Sequence, residues 1–355
     1  MKKYFAALLT GLFMAASPIQ SMAAEYNLIL NLPIAPTHNR WQTLLKPWYD
    51  ELERRSGGRI KIEPYFAESL SKINECLNTV KDGMADFTEA VLSNFPGQLP
   101  FHERSWEIAD PTRPLDHATE ILHQIEKEFP EVMKEFDGAK LLFTYDFAIG
   151  HIIGTKDPVN SFQDLKGRKI LNFGGPIAAS RLKALGMVPV SMSPPDGYMA
   201  LQQGIVDGAV CNYQLLVSRR YGDIIKYMLP INIMGGSVFM AMNQDTYDSL
   251  PPDLQKIIDD MSGDYALEKV EAWLEEEYKL LRTYRDKMGG QVHVFTDEEY
   301  AEIRRLTLPC DEEWANTLKS YGLPGDKILA RMRQLQSEKD PLWKDSRMVK
   351  EFQTK

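Results

Sequence analysis

Hydrophobic and polar positions along the chain change period repeatedly, and the changes mark out alternating strands and helices. Tyr26–Leu32 alternates and reads as a first strand, and Arg59–Tyr65 alternates basic with apolar residues as a half-buried strand does. Between them, a helix is expected from Arg40-Trp41 to about Arg55, with Asn39 as its cap and Ser56-Gly57-Gly58 as its stop. Lys72–Lys81 is helical in composition and Asp86–Ala90 returns as a strand. Loop ends near His38–Trp41, Phe66–Ser69 and Thr88–Val91 should then meet at one edge of a sheet. The proline-rich, aromatic stretch Asn94–Pro114 reads as irregular cover. Leu115–Phe129 follows as an amphipathic helix, and Lys140–Tyr145 as a strand leading to a second unit.

That second unit has the clearest pattern. Ile170–Phe173, Met187–Ser191 and Val206–Cys211 are short apolar runs separated by the helical stretches Ala178–Ala184 and Gly197–Gln203. Gly186 is placed to end the first of these helices in the left-handed conformation that glycine adopts at little cost. Strands joined through helices of this length pair in parallel, with any ligand at their carboxyl ends. Val238–Asn243 is a further strand. From Leu254 to Tyr284 apolar residues recur at helical spacing, so one long helix is expected over 253–288. Gln291–Phe295 reads as a strand, and Asp297–Gly322 and the tail from Lys327 as helix.

Three blocks carry a resemblance when taken in order: Asp164-Leu165-Lys166-Gly167-Arg168-Lys169-Ile170, Ala184-Leu185-Gly186-Met187-Val188-Pro189-Val190, and Tyr198 to Val210 (YMALQQGIVDGAV). With ELERRSGGRIKIEPYF and VKDGMADFTEA upstream and LPPDLQKIIDDM downstream, the chain resembles the solute-binding subunit of tripartite ATP-independent periplasmic (TRAP) transporters, the DctP type. The resemblance implies an α/β, two-lobed periplasmic-binding-protein-like fold with a ligand cleft between the lobes. It also implies that the long helix is a spine across both lobes rather than one strand of a coiled coil. Lobe I is expected to comprise residues 24–148 plus about 236–270, and lobe II residues 149–235 plus about 285–355.

Composition narrows the picture. A length of 355 residues suggests two lobes, and 44% hydrophobic with 26% charged residues is ordinary for a globular protein. A net charge of −9 argues against nucleic acid or an anionic membrane surface as partner. Lys2 and Lys3, the apolar run Phe5–Ala16 and Ser21-Met22-Ala23 read as a cleaved export signal over residues 1–23, so the mature chain is expected in the periplasm. Cys76, Cys211 and Cys310 match no metal-ligand spacing. Buried free thiols are the expectation, with a Cys76–Cys310 or Cys211–Cys310 bridge permitted in an oxidising compartment. No catalytic motif, metal site or cofactor loop is found. There is no HExxH, no CxxC, no nucleophile elbow, and Gly174-Gly175-Pro176 is too short to cradle a phosphate.

The expected site is therefore a solute pocket. The resembling family holds an organic acid with an arginine two residues after the lysine of the DLKGxK block, and that position is Leu171 here. A second family arginine falls on His151, and the asparagine that follows VDG appears as Asn212, one residue late. Leucine cannot replace a planar fork that takes both carboxylate oxygens. His151, Asn212 and Gln214 with Arg40 are therefore expected to bind a repositioned carboxylate or a sulfonate such as isethionate, while Trp41 and Phe173 pack its carbon skeleton. The rival solute is an amine, faced by Trp41 or Tyr213 with Glu89 as counter-charge. Apart from a ligand role, Arg40 at a helix start is expected on a solvated face. The resemblance further implies a small and a large membrane permease subunit as partners, and the protein is expected to be a monomer. A secreted enzyme on the same lobes is the reading from another class.

Overall fold

The structure is a computed structural model that describes residues 24–108, 110–146 and 151–353, with the side chains of Asp146, His151, Pro194 and Asp264 outside that description. The expected export signal lies outside the described residues.

Two mixed sheets organise the chain. The first is built from β1 (Tyr26–Asn31), β2 (Ile60–Tyr65), β3 (Phe87–Val91), β4 (Ala139–Asp146) and β10 (Ser237–Asn243), in the order β2-β1-β3-β10-β4. The second holds β5 (His151–Thr155), β6 (Lys169–Leu171), β7 (Val188–Val190), β8 (Gly208–Cys211), β9 (Tyr227–Met234) and β11 (Gln291–Val292), in the order β11-β9-β5-β8-β6-β7. The parallel pairing expected of the second unit is present: Ile170 is in register with Pro189 on one side and Gly208 on the other. Gly186 ends the intervening helix at φ 81°. The two sheets exchange strands, because β4 leads to β5 and β9 returns to β10. In each sheet the visiting strand runs antiparallel to its neighbours. β10 is buried along its whole length, as a strand with a neighbour on each edge and a layer on each face must be.

Helices cover these sheets. In the first half of the chain they are α1 (Lys46–Arg55), α2 (Cys76–Lys81), α3 (His102–Ser105) and α4 (Ala118–Glu128). The second lobe's sheet carries α5 (Pro176–Ala184), α6 (Pro194–Gln202) and α7 (Tyr213–Ser218). α8 (Gln244–Ser249), α9 (Pro252–Ser262), α10 (Asp264–Met288), α11 (Asp297–Ser320), α12 (Gly325–Lys339) and α13 (Arg347–Gln353) complete the chain. The single helix expected over 253–288 is divided: Gly263, at φ −96° and ψ −120°, separates α9 from α10. α10 still bridges the molecule. Its Ala266 and Val270 lie in the core under the first sheet, while Tyr278, Leu281 and Tyr284 lie in the core of the second. A helix of 25 residues at 1.5 Å each is about 37 Å long, enough to touch both. A third core joins Phe101, Ile121 and Ile125 to Trp314, Ile328 and Leu335 of α11 and α12.

Two strands escape the hydrophobic pattern. β9 carries Pro230 at its centre, and β5 has register irregularities against it. The strand expected at Gln291–Phe295 pairs over Gln291 and Val292 alone. The three cysteines are free and buried. Among the described residues no helix is long and apolar enough to cross a membrane, and no cluster of His, Cys, Asp and Glu could hold a metal ion.

Candidate functional site

On the first lobe, the site begins with an irregular helix. Pro47 has no N–H to donate back to the preceding turn and its ring crowds that turn's carbonyl. The chain answers with a π turn over Trp41–Leu45, in which the Lys46 N–H reaches back to the Trp41 carbonyl, before α1 runs on regularly. That wider turn lies immediately after Arg40 and begins at Trp41. Arg40 is not on a solvated face. It is 5% exposed, with Nε 2.8 Å from Glu89 Oε1 and Nη2 donating to Glu89 Oε2 at 3.1 Å. Glu89, on β3, is fully buried and also accepts from the Tyr145 hydroxyl of β4 at 2.7 Å. Burial works against the Arg40 charge, and the adjoining Glu89 carboxylate more than restores it. Glu89 is thus already neutralised by the protein and is not a spare counter-charge for an amine.

Beside this pair, Trp41 is buried edge-on to Phe66 at the end of β2, with ring centroids 5.0 Å apart. His38 stands in the exposed loop after β1, where its Nδ1 accepts the Arg40 N–H at 3.1 Å. Burial, then the charges of Arg40 and of Arg219, push the His38 imidazole below its ordinary pKa. Arg219 belongs to the second lobe, so the two lobes sense each other electrostatically here.

On the second lobe, the carboxyl ends of β6 and β8 supply the remaining candidates. Leu171 is fully buried, and a Cβ added at Gly197 of α6 would sit 2.9 Å from its Cδ1 and 2.8 Å from the Tyr221 hydroxyl. Leu171 is therefore a core residue. Phe173, two residues on, is half-buried and meets Tyr221 edge-on at 6.2 Å; Tyr198 of α6 meets the same ring at 5.7 Å. Asn212 is half-buried and caps α7, its Oδ1 accepting the Leu215 N–H at 2.8 Å. Gln214, next along, is also half-buried. Tyr213 turns the other way, 1% exposed with its ring 6.1 Å from Tyr278 of α10, and offers no face to a ligand. The backbone of His151 opens β5, but its side chain lies outside the described residues.

The start of α5, which follows β6 through Gly174-Gly175, would ordinarily attract an anion. Glu107 already covers it, accepting the Ala178 N–H at 3.0 Å, and burial raises the Glu107 pKa. On the far side of that turn lies a groove of about 430 Å³ between Pro96–Arg104, Pro176–Ser180 and α11.

The candidates thus fall on two sheet edges: His38, Arg40, Trp41, Phe66 and Glu89 beside the first, and Phe173, Tyr198, Asn212, Arg219 and Tyr221 beside the second. His38 and Phe66 were signalled by the loop ends of the first sheet. Tyr198 opens the YMALQQGIVDGAV block, whereas Arg219 and Tyr221 carry no motif, and their only signal is their place beside the carboxyl edge of the second sheet.

Comparison with known proteins places this arrangement. Residues 33–317 match the model of the DctP family, described as bacterial extracellular solute-binding protein, family 7. A Comamonas testosteroni protein named outer membrane transporter protein TsaT is 23% identical over 91% of this chain and 95% of its own length. The C4-dicarboxylate-binding periplasmic protein DctP of Rhodobacter capsulatus is 25% identical over 76% of this chain and 81% of its own. Among solved structures, an open TRAP periplasmic solute-binding protein from Desulfovibrio salexigens superposes with a TM-score of 0.80 at 24% identity, covering 89% of this chain and 97% of that one. A marine-metagenome TRAP protein specific for aromatic acid ligands, in complex with 3-hydroxybenzoate, gives 0.74 at 23% identity over 90% and 100%. With four-fifths of its length matched and two mixed sheets between which the chain crosses, the chain belongs to the DctP family of bacterial extracellular solute-binding proteins, the solute-binding subunits of TRAP transporters.

Proposed function

We propose that this protein captures a small organic anion, a carboxylate or a sulfonate, between its lobes in the periplasm and delivers it unchanged to the small and large membrane subunits of a TRAP permease. It works as a monomer, exported through the signal at residues 1–23. The observation that carries the anion reading is the Arg40–Glu89 pair. The buried carboxylate that an amine would need is held by a guanidinium and a tyrosine hydroxyl. Trp41, Phe66 and Phe173 offer rings to the ligand's carbon body, and Asn212 and Gln214 offer amide groups at the edge of β8. Relatives support the class: similar proteins bind 3-hydroxybenzoate, mandelate and benzoate by their descriptions, and another is named for 2,3-diketo-L-gulonate.

A thermal-shift screen of benzoate, 3-hydroxybenzoate, mandelate, succinate and isethionate against a set of amines tests this reading. At least one anion is expected to raise the melting temperature, since a ligand that binds only the folded state stabilises it. A shift with amines and with none of the anions would overturn it. Recovery of the bound compound chemically altered would instead favour an enzyme.

A further inference from the structure

Away from the sheet edges, one buried donor is left over. Trp48, Trp106 and Trp343 each give their indole N–H to a backbone carbonyl, of Met261, Glu103 and Pro111 respectively. Trp314 of α11 is 2% exposed, and its Nε1 finds no acceptor among the described residues. A buried N–H left unpaired is costly, so it calls for an explanation. Trp314 lines the groove of about 430 Å³ between Pro96–Arg104, the first turns of α5 and α11. That volume falls in the range of about 300–1,000 Å³ typical of small-molecule sites.

We propose that this groove is a second binding site, separate from the solute cleft, and that it takes a small uncharged amide with a compact apolar body. The head group follows from the polar atoms that line it. Arg104, half-buried on the wall formed by Pro96–Arg104, gives Nε to Glu103 Oε1 at 3.1 Å. Its two terminal nitrogens have no hydrogen-bond partner among the described residues. Both Glu103 oxygens are occupied, one by Arg104 and one by the Gly97 N–H. The Glu313 carboxylate, exposed and next to Trp314 in α11, has no ion pair or hydrogen bond among the described residues. The groove thus offers free donors at Arg104 and Trp314 and a free acceptor at Glu313. An amide complements both, since its carbonyl accepts while its N–H donates.

Charge selects against the alternatives. Two carboxylates and one guanidinium line the groove, and the guanidinium is already paired with Glu103. No positive charge is spare for a carboxylate ligand, and Glu313 opposes one. An amine can pair with Glu313, but it accepts nothing from the Trp314 N–H and leaves that donor buried and unpaired. The apolar body of the ligand has Pro96, Pro100, Pro176 and Ile177 to lie against. Glu313, Thr317 and Tyr321 recur every four residues, so they form one edge of α11 along the groove, with the exposed Tyr321 ring at its end. The groove and the cleft are independent sites, so either reading can fail alone.

The test is two-dimensional NMR of the protein with isotope-labelled tryptophan. Each of the six indole N–H groups gives one signal, and Trp314→Phe identifies that of Trp314. The titrant is benzamide, with benzoate and benzylamine as probes that carry the same ring and a charged head group. Benzamide is expected to move the Trp314 signal saturably, and the charged probes to need roughly tenfold higher concentration, the cost of a mismatched buried hydrogen bond. Arg104→Met should weaken benzamide binding roughly tenfold. Thr317→Phe, which fills the groove from an exposed position, should abolish the shift. Circular dichroism and an unchanged melting temperature without ligand confirm that each variant folds. A Trp314 signal that stays still up to the solubility limit of benzamide overturns the proposal. So does benzamide affinity in Arg104→Met within twofold of wild type, or benzoate binding there as tightly as benzamide. A shift that persists in Thr317→Phe also overturns it, since the ligand would then sit elsewhere. An anion that raises the melting temperature of Thr317→Phe as it does that of wild type would show that the solute cleft is a different site.

Discussion

Glu89→Gln separates a structural charge from a ligand contact. The substitution keeps the shape at residue 89 but leaves the Arg40 guanidinium buried without its counter-charge. Removing one member of a buried pair costs about 3–5 kcal/mol, so Glu89→Gln should lower unfolding free energy by that amount in urea titrations without ligand. Replacing both members with apolar residues, as in Arg40→Met with Glu89→Leu, should recover most of the loss, because no orphan charge remains. Asn212→Ala is a milder case. It removes the cap of α7 and should cost about 1 kcal/mol in the same titration. Asn212→Asp, which still accepts the Leu215 N–H, should retain that stability. A residue at this edge can therefore weaken binding simply by loosening a helix, and the unliganded stability of each variant has to be measured alongside its Kd.

At the scale of elements, α3 is tied to α4 by a buried histidine. His102 is fully buried, with Nδ1 2.8 Å from Glu135 Oε2 and Nε2 3.4 Å from Glu126 Oε1. Burial pushes the imidazole pKa down, but hydrogen bonds and charge from the two carboxylates outweigh it and hold the value at about 9. The folded value lies above the ordinary 6.5, so the folded state holds this proton more tightly than the unfolded chain does. Its stabilisation is fully present below pH 6.5 and is lost as pH rises through 9. Denaturant titrations from pH 6 to 10 should show stability falling across that window, and His102→Gln should flatten the fall while lowering stability at pH 6. An equal slope in the variant would mean that another group titrates. The sequence left this network unread because His102, Glu126 and Glu135 come from separate segments, with no periodicity to join them. The same holds for Arg40 and Glu89, which stand 49 residues apart. By contrast, the β6-to-β8 unit was legible, since its glycines, apolar runs and parallel pairing are all local consequences of one repeating pattern. β9 was not, because Pro230 in a nearly continuous apolar run hides both the strand and its period. Gly263 shows the opposite failure: helical periodicity continues through a residue at which the helix itself stops.

At the scale of the whole molecule, the strand exchanges decide how the lobes can move. The chain passes between the sheets after β4 and again after β9, and α10 lies across both cores as a further connection. The expected motion is a hinge that closes the edge of the first sheet, at Phe66, over that of the second, at Phe173 and Asn212. A ligand shifts that equilibrium only by its preference for the closed form. Small-angle scattering should therefore show the radius of gyration falling when a bound anion is present at 100 times its Kd. Binding to the folded state alone should add about 2.7 kcal/mol to unfolding free energy at that concentration. The two measurements separate capture from closure. A gain in stability with unchanged dimensions would mean that the solute settles on one lobe while the other stays apart. Compaction that accompanies the stability gain would place the solute between the two lobes, where its contacts to both hold them closed.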